Sequence, residues 1–318
     1  MRFLGCSLNL GSVILILLSK FVSMLPIGLV VGFGRLMGLV WYYLIPIRVG
    51  LARQNVERVY GDSLSQSEKA AIVRGSCVSW ATTVVEGFRM PKLLEPAELA
   101  RMDAPDFHIL EAAKDRKKGT CVVTLHLSNF EMMVGYMTIH GLPLHVIYRD
   151  LKSKSAHDFW NLVRKKTGVL TLPPRRSKEA IREVMQKGEM VGFAVDQHMP
   201  KYRSIVCQFL GHVVSTSPAP SKFALEAGGE LVLVYTYRSK KDYTKHIFKA
   251  ENFKFETPFE TMKENVRHNT QRLNDRMEQI IHAHPEEWLW HHKRFKVHDA
   301  PDGWDIPEEL VPLLSKKP

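Results

Sequence analysis

From about residue 105 onward, short apolar runs alternate with amphipathic stretches, and this alternation limits the folds open to the chain more than any other feature. Cys121–Leu125, Leu144–Tyr148, Met190–Val195 and Leu231–Tyr237 have the length and β-branched content of buried strands. Between two of them, Ser177–Gln186 sets Ile181, Val184 and Met185 on one helical face, with Gly188 as a stop. Strand candidates separated by helical ones predict an α/β domain with a mixed, largely parallel central sheet flanked by helices. Residues 120–131, Thr-Cys-Val-Val-Thr-Leu-His-Leu-Ser-Asn-Phe-Glu, lie at the centre of this pattern. An apolar run ends at His126, and the helical spacing of Phe130, Met133, Val134 and Met137 begins just after Ser128. His126 is therefore expected at the carboxyl end of a strand, where open α/β sheets hold their ligands.

An imidazole there can accept a proton near neutral pH, provided that its other nitrogen is held, commonly by a carboxylate. Glu131 offers a carboxylate across one turn. The same stretch also spells Ser128-x-x-Glu131, a capping box in which the glutamate only ties down a helix start. Pattern alone leaves both readings open. Two more strand candidates end in polar residues: Tyr148 in Arg149 and Asp150, and Val195 in Asp196 and Gln197. Parallel strands would bring these ends to one rim. Arg164 in Arg-Lys-Lys-Thr-Gly168 is a further candidate, as is the stretch from Phe209 to Pro220. In that stretch Thr216 or Ser217 is expected to cap a helix whose start could bind an anion.

The amino terminus has a different character. Between Arg2 and Lys20 no charged residue occurs, and from Phe21 to Ile47 the only one is Arg35. Residues 1–47 are predicted to form an apolar helical membrane anchor that dips into the bilayer or crosses it, with two buried core helices as the other reading, and residues 48–318 a single catalytic domain. Arg48, Arg53 and Arg58 follow the anchor, so the domain is expected on the cytoplasmic side of an inner membrane. Gly28, Gly32, Gly34 and Gly38 lack the spacing and strand context of a dinucleotide fingerprint. Small residues at one-turn intervals instead let apolar helices pack closely. Helices are also expected over residues 50–95, one of them begun by Ser65-Gln-Ser-Glu68, with Asn55 on a solvated face.

Lysine and arginine number 44 against 33 acidic residues, a formal charge of +11 that implies an anionic partner. The basic clusters are not interleaved with aromatics as a single-strand groove requires, so nucleic acid is set aside. Four cysteines without a Cys-x-x-Cys pair indicate neither a zinc site nor a disulfide framework. His291 and His292 have no companion at metal-ligand spacing. The aromatic stretch 285–296 reads either as a membrane-interface belt or as a cluster closing the core.

Taken in order, these pieces resemble the bacterial lipid A biosynthesis acyltransferases, the late lauroyl/myristoyl transferases of the lysophospholipid acyltransferase superfamily with its His-x4-Asp/Glu motif. The resemblance runs over nearly the whole chain. It takes in the apolar amino terminus, Asn55 in Arg-x-Asn, and the block His126-Leu-Ser-Asn-Phe-Glu131. It continues through Tyr148-Arg149, Arg164-x-x-x-Gly168 and Asp196-Gln197. Phe209-Leu-Gly211 followed by Thr216, and Trp288-x-Trp290-x-x-x-Arg294-Phe-Lys, complete it. It implies transfer of a fatty acyl chain from acyl carrier protein, or from CoA, to a hydroxyl of a lipid A precursor or related anionic glycolipid. Neither cofactor nor metal is implied. On this resemblance His126 is the general base and Glu131 its brace. Arg149, with backbone amides, would serve the oxyanion; Arg164 and Asp196 would position phosphate or sugar groups or brace the site, and Gln197 and Thr216 would help to hold substrate. His198-Met-Pro-Lys after Asp196-Gln197, and Asp150-Leu-Lys-Ser after Tyr148-Arg149, depart from the family pattern and leave the acceptor open. Two other readings remain: a membrane-bound thioesterase or lipid hydrolase using the same pair on water, and a non-catalytic lipid-binding membrane protein.

Overall fold

A computed structural model describes residues 9–147, 151–172 and 177–315, together with the backbone of residues 2–3 and 6–7. Strands β1 (Arg2–Phe3) and β2 (Cys6–Ser7) pair antiparallel at the amino end. Four helices follow: α1 (Leu10–Met24), α2 (Ile27–Tyr43), α3 (Val49–Tyr60) and α4 (Gln66–Gly87). The start of α4 is a capping box of Ser65 and Glu68, as the sequence suggests. Short α5 (Pro96–Leu99) and β3 (Met102–Asp103) lead into α6 (His108–Arg116). Then strand and helix alternate: β4 (Thr120–Thr124), α7 (Phe130–Ile139), β5 (Leu144–Ile147), α8 (Lys154–Thr167), β6 (Leu170–Leu172), α9 (Ser177–Gln186) and β7 (Met190–Ala194). A hairpin of β8 (Ile205–Phe209) and β9 (His212–Thr216) precedes α10 (Ala219–Ala227), β10 (Glu230–Arg238), β11 (His246–Phe253), α11 (Met262–Ala283) and α12 (Lys296–Asp299).

The main sheet runs β3-β11-β10-β4-β7-β5-β6, and only β10 and β11 pair antiparallel. This is the mixed, largely parallel sheet expected from the apolar runs. Strand β4 is buried at every position, because helices cover both faces of a parallel centre. One apolar layer holds Cys121, Val123, Val191 and Leu233 against α9, α10 and α11. The other holds Val122, Met133, Met137, Val232 and Phe248. The register pairs Thr124 with Ala194, so β4 and β7 end at one level. One local expectation fails. Val213–Thr216 is strand, not the lead-in to a helix cap, and α10 begins only after Pro218.

Among the described residues no helix is long and apolar enough to cross a membrane. The 15 residues of α1 and 17 of α2 extend about 22 Å and 26 Å at ~1.5 Å per residue. That falls short of the ~30 Å of a hydrocarbon core. Both helices lie on the α/β body instead. Helix α2 packs along α4, where a Cβ on Gly38 would overlap Val78 Cα and one on Gly34 would meet Thr82 Cα at 2.6 Å. Only glycine permits so close an approach. Helix α1 packs on α8, and its Ser19 hydroxyl donates to the Phe88 carbonyl at 2.6 Å. Their outward faces keep Leu17, Phe21, Phe33, Leu36 and Tyr43 exposed.

A methyl group at position 38 thus collides with backbone, whereas Gly32 faces open space. Gly38→Ala is expected to cost about 1–3 kcal/mol through overpacking, read as a lower thermal midpoint of the full chain. Gly32→Ala should leave the midpoint unchanged or slightly raised. Equal midpoints for the two would contradict the packing of α2 on α4.

Candidate active site

His126 lies two residues beyond the end of β4 and Asp196 two beyond the end of β7, so the strand register delivers them side by side. The Asp196 carboxylate is 1% exposed and accepts three hydrogen bonds. His126 Nδ1–H donates to Oδ1 at 2.8 Å, and the His126 backbone N–H donates to Oδ2 at 2.9 Å. Trp288 Nε1–H adds the third at 2.8 Å. Burial alone would raise this carboxyl, but the charge and hydrogen bonds of His126, with the indole donor, hold it down at about 2. A carboxylate so ionised can only accept, which fixes the proton of His126 on Nδ1. Burial pushes the imidazole down, yet Asp196 and, less strongly, Glu131 outweigh it, leaving the histidine above its ordinary value. Its side chain is 20% exposed, and among the described residues Nε2 has no hydrogen-bond partner.

Glu131 does not brace the ring. Its Oε1 accepts instead from Arg164 Nη2 at 3.0 Å, joining α7 to α8. The turn explains the difference. Ser128 takes a left-handed φ of +47°, and Asn129, not Ser128, caps α7 by accepting from the Met132 N–H at 3.0 Å. The Ser128–Glu131 capping box is therefore absent, and the glutamate enters the helix facing α8. The left-handed serine persists because the surrounding chain holds it. Its N–H donates to the Glu287 carbonyl at 3.1 Å, and the Leu289 N–H donates to the His126 carbonyl at 3.2 Å.

The carboxyl-terminal segment making those contacts is itself buried. Trp288 and Trp290 close the core and form no surface belt. Ser76 donates to the Trp288 carbonyl at 2.7 Å. Asn55, expected on a solvated face, is buried and donates to the carbonyls of Trp290 and His292 at 2.7 and 2.9 Å. Of the remaining candidates, Gln197 contributes its carbonyl to Arg294 at 3.0 Å. The hydroxyl of Thr216 is fully buried, accepting from Arg294 at 2.8 Å and from Asn274 at 3.1 Å. Arg149 falls outside the described residues. The structure thus pairs His126 with Asp196 and Glu131 with Arg164, and places Thr216 in the interior.

A buried charge cluster that no sequence motif marks lies beneath the histidine turn. Glu86 on α4 accepts from Arg238 at 2.6 Å, from Asn129 at 3.0 Å, and from Arg101. Burial would raise its carboxyl, but Arg238, His246 and Arg101 keep it well below the usual range. One signal was present: Ser76, Ser79, Thr83 and Glu86 recur at helical spacing, and all four are buried.

On the carboxyl rim of a largely parallel sheet, a histidine with a carboxylate on Nδ1 and, among the described residues, no partner on Nε2 has the geometry in which an imidazole can accept a proton. The profile of the bacterial lipid A biosynthesis acyltransferases matches residues 8–297, and the chain belongs to that family. It is an O-acyltransferase of the lipid A biosynthesis type, which replaces the reading of a non-catalytic lipid-binding protein. No curated protein matches the chain.

Asp196 touches the imidazole and Glu131 does not, so the two carboxylates should be separable by titration. In NMR titrations of the His126 ring, Asp196→Asn is expected to lower the imidazole pKa by more than Glu131→Gln does. The reverse order would restore Glu131 as the brace. Removing the Glu86 charge strands Arg238 in the interior, and Glu86→Gln should cost about 3–5 kcal/mol in denaturant unfolding.

Proposed function

We propose that the protein moves a fatty acyl chain from the thioester of acyl carrier protein to a hydroxyl of a lipid A precursor, with His126 as general base and Asp196 as its brace. The observation that carries this reading is the His126–Asp196 pair, in a histidine whose side chain is 20% exposed and whose Nε2 has no hydrogen-bond partner among the described residues. Nε2 takes the proton of the acceptor hydroxyl while its oxygen bonds to the thioester carbonyl carbon. The tetrahedral intermediate then collapses, the carbon–sulfur bond breaks, and the thiolate takes the proton back from the imidazolium. Glu131, held by Arg164 at 3.0 Å, adds negative charge near the ring. No step needs a metal or a covalent acyl-enzyme.

Two features support the partners. The formal charge of +11 favours an acidic carrier protein and an anionic glycolipid. The exposed apolar faces of α1 and α2 suit helices lying in the interface of the inner membrane on its cytoplasmic side.

His126→Gln should abolish transfer of labelled acyl chain from acyl carrier protein to lipid without changing the melting profile. Normal turnover would end the general-base reading, and label recovered from the wild type only as free acid would favour the hydrolase. The base must be neutral to act, and its pKa is raised. The rate should therefore fall on the acid side at a pH above the ordinary histidine value. Asp196→Asn should move that limb to lower pH while cutting the plateau by about 10²–10⁴-fold. For the membrane, replacing Phe21, Phe33 and Leu36 together by Gln should release folded protein from inner-membrane vesicles; unchanged sedimentation would refute the interfacial helices.

A further inference from the structure

A cleft of about 490 Å³ opens between α2, α4, the turn joining β10 to β11, and residues 284–287. Neither His126 nor Asp196 lines it. Three cations reach it from three separate elements: Arg35 on α2, Arg74 on α4 and Lys240 in the turn. All three are exposed, and among the described residues none of them makes an ion pair. Two carboxylates also line the cleft. Glu287 is buried, its Oε1 already accepts from the Arg238 backbone N–H at 3.0 Å, and burial raises its pKa. Glu286 is left as the counter-charge, so positive charge is in surplus.

The arginine on α2 is held in place. Its guanidinium lies 4.7 Å from the centre of the Tyr243 ring, whose neighbour Arg238 lies 5.0 Å from the same ring. Stacking restricts the head group while leaving its N–H edge free to donate. Arg238 is not available for a ligand, because Glu86 occupies it. Arg35 is also the only charged residue between Phe21 and Ile47, and Leu39 on the next turn shares the cleft. Phe33 and Leu36 beside it are exposed. A charged pocket is thus continuous with an apolar helix face, the combination offered by a phosphate ester carrying acyl chains.

We propose that this cleft binds the phosphate of an anionic lipid headgroup, with Arg35, Arg74 and Lys240 donating to its oxygens. The site needs neither the general base nor the acyl donor, so its test reads binding and not turnover. Full-length protein in mild detergent would be partitioned onto phosphatidylglycerol/phosphatidylcholine vesicles and, separately, titrated calorimetrically with inorganic phosphate. The cleft variant is Arg74→Glu with Lys240→Glu. Its control is Lys118→Glu with Lys187→Glu, exposed positions flanking the amino ends of β4 and β7. The cleft variant is expected to partition about tenfold more weakly onto the anionic vesicles than the control, although both carry the same net charge. Such a loss without cleft-dependent phosphate heat identifies a lipid headgroup as the source. Cleft-dependent heat, with or without the vesicle effect, shows that the phosphate group itself is held. Equal partitioning of the two variants together with no cleft-dependent heat overturns the proposal.

Discussion

A buried carboxylate is tolerated only where donors replace the water it has lost, and Asp196 obtains three from two distant parts of the chain. Two come from His126, beyond β4, and the third from Trp288 near the end of the sequence. The ends of two neighbouring parallel strands and the carboxyl-terminal segment therefore meet at one charge. Removing any donor leaves part of that charge unsolvated, so the histidine orientation and the closure of the core are parts of one constraint. The backbone contacts of Ser128 and Leu289 extend the same junction.

The fold was readable because its signal is local. Cys121–Leu125 and Met190–Val195 announce buried strands by composition, and Ser177–Gln186 announces its helix by spacing; these bounds hold to within a residue. The site was readable only in part. His126 follows from its place after a strand, but its partner does not, because the pairing depends on register between strands some 70 residues apart in sequence. Proximity in sequence favoured Glu131; the left-handed Ser128 and the Asn129 cap, neither of which has a pattern of its own, turned that residue toward Arg164. The burial of Asn55 is hidden from sequence for a related reason. Its partners are backbone carbonyls more than 200 residues away, which no residue type reveals.

The apolar amino terminus shows the same limit from another side. Composition identifies residues 1–47 as apolar but does not say whether the apolar partner is lipid or protein. The structure divides the answer by face. Glycines 34 and 38 bring α2 onto α4, while Phe33 and Leu36 remain outside. Length decides against spanning, since neither helix reaches across a hydrocarbon core.

Helix α4 connects these features. One of its faces, at Val78 and Thr82, receives the glycines of α2. Another, at Ser76 and Glu86, holds the Trp288 carbonyl and the Asn129 cap of the histidine turn. Packed along its length in this way, the 22-residue helix couples the two faces through one continuous element. The proposed lipid-facing surface and the proposed base are then held at a set separation by a single element. An acceptor embedded beside α2 would present its hydroxyl at a height fixed by this packing. Mutations along α4 would therefore disturb transfer without touching the substrate, by tilting one face against the other.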